Sequence, residues 1–132
     1  SGKRIIGGTT MNKEAYCSYE IAKLLKEKGF DEECFGAYTE TNHNITMFTG
    51  LIKNSEYGNA MYTAPTHQMA MAWLRETYGI DIIIEITNPS VKNRRYYCMI
   101  WDRNSHSYIL DLFNSYEDAV EAALKYCLEK LI

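Results

Sequence analysis

Apolar side chains recur along this chain with two different periods, and the changes between them mark its elements. Ile21, Leu24 and Leu25 fall at helical spacing within YEIAKLLKEK, which gives a helix one apolar face. Ser18 is suited to cap that helix, and Gly29 to stop it. With Gly29 as the left-handed residue after the C-cap, Phe30 is predicted to fold back onto Leu25. Residues 12–17 do not oppose a backward extension of the same helix.

CFGAYTE and ITMFTGLI are short and rich in β-branched and aromatic residues, and the TNHN between them tolerates left-handed turn conformations. Together they predict a hairpin, weakened by Gly36 and Gly50. KNSEYGNAMYT, Lys53 to Thr63, shows neither period and reads as a loop. In APTHQMAMAWLRETYG, Pro65 suits the first turn of a second helix, with Thr66 as an alternative cap and Gly79 as the stop. Its expected core face is Met69, Ala72 and Trp73, joined by Leu74 and Tyr78.

Ile80, Ile82, Ile84 and Ile86 then alternate with Asp81, Ile83, Glu85 and Thr87, the pattern of a strand with one fully apolar face. NPSVKN connects this strand to RRYYCMIWD and SHSYILDLF, two further strands joined by a tight turn at Asp102 to Ser105. Three successive strands with short links favour an antiparallel meander. Ser115, followed by Asp118, resembles a capping box, and Val120, Ala123, Leu124, Cys127 and Leu131 form the stripe of a closing amphipathic helix.

The resulting order, α-β-(β)-α-β-β-β-α, predicts an α+β fold: one antiparallel sheet of four to five strands, with three helices packed on one face. At 132 residues the chain suits one domain with one core. Its 46% hydrophobic and 23% charged residues, with only 2 prolines, exclude a disordered or fibrous class. Residues 1–10, SGKRIIGGTT, precede Met11 without a signal or transit pattern and are expected to be an added tail, leaving 11–132 as the domain. Without Lys3 and Arg4 the chain's 14 basic residues fall to 12 against 17 acidic, a net charge of −5. No apolar run approaches the roughly 20 residues of a membrane span, so no membrane association is expected.

Three segments, AKLLKEKGFDE at Ala22 to Glu32, APTHQMAMAWLRE at Ala64 to Glu76 and the terminal SYEDAVEAALKYCLEKLI, resemble a family of small uncharacterised proteins. That family is common in gut Bacteroidales genomes and in their phages and mobile elements. The resemblance implies a bacterial or phage cytoplasmic origin and carries over no functional residue.

Candidate chemistry is sparse. Cys17, Cys34, Cys98 and Cys127 include no CxxC and no zinc-ligand pair, so they are expected to be reduced and buried. His43, His67 and His106 lie at a turn, a helix start and a strand end, each without a sequence neighbour that would perturb it. No catalytic, cofactor-binding or metal-ligating residue is assigned on these grounds, although a cysteine-dependent site could still assemble from residues distant in sequence.

The second half shares its α-β-β-β-α order with double-stranded-RNA-binding domains, and Lys92, Arg94 and Arg95 make a small basic patch. The last helix nevertheless carries Glu117, Asp118, Glu121 and Glu129 against Lys125 and Lys130, which disfavours phosphate. Weak nucleic-acid binding is thus an alternative expectation. The leading one is a non-enzymatic interaction or regulatory protein. Its candidate face is Tyr97, Met99 and Trp101, alternate residues of one strand whose types are enriched at protein interfaces. That face is expected either to bind a protein partner or a second copy, or to lie beneath the loop at Lys53 to Thr63.

Overall fold

In a computed structural model of the chain, which describes residues 15–87, 92 and 94–132, the Ser18 hydroxyl accepts the Ile21 N–H at 3.3 Å and starts α1 (Tyr19–Glu27). Gly29 ends the turn at φ 94°, and the Phe30 N–H reaches the Leu25 carbonyl at 2.9 Å, the bond a Schellman stop requires. The helix does not extend backward. Tyr16 instead forms an antiparallel bridge with Thr66, because residues 15–17 are needed as an extended partner for the entry to the second helix. The tail at residues 1–10 and most of the NPSVKN connection lie outside the described residues.

β1 (Cys34–Tyr38) and β2 (Thr46–Ile52) form the expected hairpin. A third strand, β3 (Tyr62–Ala64), pairs with the other edge of β1. Of its residues, Ala64 opens the segment read as the second helix and the first two fall in the segment read as a loop, which holds a 3-10 turn at Asn54–Glu56 before them. The buried Asn54 side chain organises it, donating to the Phe30 carbonyl and accepting the Thr63 N–H, both at 2.9 Å. Three residues are too few to display a period, so the ordering comes from that one amide and from pairing with β1.

α2 (His67–Tyr78) is capped by Thr66, whose hydroxyl accepts the Met69 N–H, and stops at Gly79 with φ 68°. Its buried residues are His67, Ala70, Met71 and Leu74. The helix is therefore rotated from the expected Met69–Ala72–Trp73 face, with Met69 and Trp73 at the margin of the core. Trp73 packs edge-on against the Phe30 ring, with centroids 5.5 Å apart.

β4 (Asp81–Ile86), β5 (Tyr96–Trp101) and β6 (Ser107–Phe113) form the antiparallel meander. Its turn is closed by the Asp102 N–H on the His106 carbonyl at 2.9 Å. The last helix, α3 (Tyr116–Tyr126), is capped by Ser115 and continues through a π-helical turn at Cys127–Leu131. Of the expected stripe, Val120, Ala123, Leu124 and Cys127 are wholly buried and Leu131 is half-buried at its end.

The α+β class and the three α-helices agree with expectation, but the single sheet does not. The described strands form two sheets of three, β2-β1-β3 and β4-β5-β6. β1 has both edges occupied, and β3 leads within two residues into α2, which carries the chain away before β4 begins. The helices link the two sheets. Ala22 of α1 packs with Tyr38, Tyr62 and Ala64 of the first sheet, while Ile21 and Leu25 join the main core with Val120 and Leu124 of α3. Cys98 and Ile100 close that core from the second sheet.

Candidate functional sites

The alternation of β5 places Cys98 and Ile100 inward, against α3, and so turns Tyr97, Met99 and Trp101 to the opposite face. Pairing extends that face across the sheet: Ile83, Met99 and Ile109 stand opposite one another in one row, and Asp81, Trp101 and Ser107 in the next. Ile83 is 41%, Ile109 58% and Trp101 38% exposed, while Tyr97 and Met99 are half-buried. The segment Lys53 to Thr63 does not cover them. It packs at the far end of α1, where the Lys26 ammonium donates to the Gly58 and Met61 carbonyls. Asp81 and Glu85 flank the row on β4, and Asp111 is exposed further along β6. The surface is an apolar strip with an acidic border.

A second constellation escaped the sequence altogether. The bridge between Tyr16 and Thr66 is fixed by the Cys17 N–H on the Pro65 carbonyl and the His67 N–H on the Ala15 carbonyl, both at 2.9 Å. It sets Cys17, just before α1, beside His67, the first residue of α2. Glu121 reaches them from the middle of α3. One Glu121 oxygen, Oε2, accepts both the Ser18 N–H at 3.0 Å and the His67 ring Nε2 at 2.8 Å. Burial pushes the Glu121 carboxyl up, but the hydrogen bonds from His67 and Ser18 outweigh it and hold the group below the ordinary glutamate range. A carboxylate facing the first N–H groups of α1 is also favoured by the helix dipole.

The Cys17 thiol has no exposed surface, and burial together with the Glu121 carboxylate holds it well above the usual thiol range. It is thus the reverse of an activated nucleophile, which needs a lowered pKa and access. A carboxylate can only accept, so the His67 Nε2–H donates to Glu121 Oε2. Nδ1 is buried and has no hydrogen-bond partner among the described residues, an omission that typically costs about 1–3 kcal/mol. The Cys17, His67 and Glu121 donor atoms all lie within 4.8 Å of one another.

No histidine was expected to have a perturbing partner adjacent in sequence, and the neighbours each one meets are brought to it by the fold. His43 stacks on Tyr19 with ring centroids 3.5 Å apart, and His106 Nδ1 lies 3.4 Å from Asp102 Oδ2. Of the basic patch, Lys92 and Arg95 are exposed and Arg94 is half-buried. All four cysteines are free and buried. No family model matches this chain, nor does any curated protein or solved structure.

Proposed function

We propose that the chain is a small interaction module, a regulatory or accessory protein of bacterial or phage origin, that engages a protein partner through the outer face of β4-β5-β6. The observation that carries this reading is the row Ile83, Met99 and Ile109 across three paired strands, in which Ile83 and Ile109 are exposed and Met99 is half-buried. A contiguous apolar strip on a sheet is costly to expose and marks an interaction surface, and the adjoining Trp101 is the side-chain type that anchors such contacts. The acidic border of Asp81, Glu85 and Asp111 selects a partner with an apolar centre and basic surroundings. The same border and the acidic α3 weigh against nucleic acid.

The test compares the native chain with a Met99→Glu, Ile109→Glu double variant and with Trp101→Ala. We expect sedimentation or co-purification to reveal a complex with the native chain that both variants lose, while their circular dichroism and melting remain close to native. A native chain that stays monomeric, and variants that retain every co-purifying protein, would overturn the reading.

A further inference from the structure

We infer that the junction of α1, α2 and α3 binds a divalent transition-metal ion of the zinc class, ligated by the Cys17 thiolate, the His67 imidazole and the Glu121 carboxylate. Thiolate, imidazole and carboxylate are the three ligand types zinc takes from proteins, and three protein ligands leave a fourth position open. The donor atoms already lie within 4.8 Å of one another. Around a tetrahedral zinc with bonds of about 2.0–2.3 Å, ligand atoms stand about 3.5 Å apart, so side-chain movements of about 1 Å suffice.

The same geometry fixes the ligating ring atom. His67, only 5% exposed, turns Nε2 toward Glu121 Oε2 at 2.8 Å, so Nε2 joins the site; on binding it gives up its proton and Nδ1, on the far side of the ring, carries one, which leaves the imidazole neutral. Charge balance explains why an ion suits the junction. On binding, the Cys17 thiol releases its proton to solvent and forms the sulfur–metal bond. The thiolate and the Glu121 carboxylate then place two negative charges against a doubly charged cation, around a neutral imidazole. The Glu121 side chain is 28% exposed, which gives the ion an entry path and a water for its fourth position. No ester or peptide could reach the wholly buried Cys17 sulfur by that route, so the junction is assigned to a small cation rather than to nucleophilic catalysis. The bound ion would join the entries of α1 and α2 to the centre of α3.

The experiment uses the full chain, stripped with a chelator and titrated with Co2+ and then Zn2+. We expect one Co2+ per chain, a thiolate-to-cobalt charge-transfer band, displacement of that band by Zn2+, and a melting temperature raised by either ion. Cys17→Ser should abolish the band, Cys34→Ser should leave it intact, and Glu121→Gln should weaken binding at least about tenfold. If Cys17→Ser does not fold, Glu121→Gln decides, because its amide oxygen can still accept from Ser18 and preserve the fold. The proposal is overturned if neither ion gives a band or a melting shift in the folded native chain. It is equally overturned by a band that survives in Cys17→Ser, or by binding unchanged in Glu121→Gln.

Discussion

His67 Nε2 lies 2.8 Å from Glu121 Oε2 across 54 residues of chain, and the same carboxylate oxygen receives the Ser18 N–H at 3.0 Å. One side chain thereby satisfies the entries to two helices. Glu121→Ala leaves both donors without their acceptor and should lower unfolding stability by about 2 kcal/mol in urea denaturation. A loss under about 0.5 kcal/mol would show that water replaces the carboxylate at no cost.

Opposite faces of the second sheet should respond oppositely to truncation. Ile100 is fully buried and Ile109, on the neighbouring strand, is mostly exposed. Ile100→Ala should cost about 2–5 kcal/mol, and Ile109→Ala within about 0.5 kcal/mol. Equal losses measured by chemical denaturation would mean that the face carrying Ile109 is packed in solution.

The left-handed stops are a separate test of local backbone. Gly29 at φ 94° has open space around its missing side chain, so Gly29→Ala is opposed by conformation alone. The expected loss is about 1 kcal/mol. Gly79→Ala adds a contact with the Arg103 side chain at 3.3 Å and should cost somewhat more. Thermal melts of the two variants would order them.

The β5–β6 turn should depend on acid. Asp102 is held below the ordinary aspartate range, first by the His106 N–H, then by the Asn104 N–H and the Tyr108 hydroxyl, with partial burial opposing them. Because its folded pKa is depressed, its contribution is present above the unfolded aspartate pKa and is lost as pH falls through the folded value. Amide protection factors in the hairpin, which compare exchange with the intrinsic rate at each pH, should fall over that acidic range in the native chain, and Asp102→Asn should remove the dependence. An unchanged profile in Asp102→Asn would assign the effect to another carboxylate.

Thiol chemistry should be silent in the folded state. Burial pushes Cys34 up to about 11 and Cys127 up to about 12, and Cys17 and Cys98 are raised as well. Alkylation near neutral pH should modify none of the four on the timescale that modifies all four in urea. A single fast-reacting cysteine would instead revive the cysteine-dependent alternative.

Caps, stops and periods were legible along the chain because they are local. Ser18, Thr66 and Ser115 each accept an N–H three residues on, Gly29 and Gly79 adopt the left-handed stop, and the alternation around Cys98 and Ile100 divides β5 into its two faces. What the sequence left open was whether anything covers Tyr97, Met99 and Trp101, since cover depends on where a distant segment packs. β3 was hidden because three residues hold no period, and its order derives from Asn54 and the free edge of β1. The rotation of α2 was hidden because apolar spacing gives a face only to within a residue. The Cys17–His67–Glu121 junction belongs wholly to tertiary structure: its members lie in three segments with no shared motif, and only the Tyr16–Thr66 bridge and the packing of α3 bring their donor atoms together. Sequence thus determined the helix caps and stops and the faces of the meander strands through short-range sterics and hydrogen bonding. Long-range packing decided how the strands divide into two sheets and which polar atoms meet between the helices.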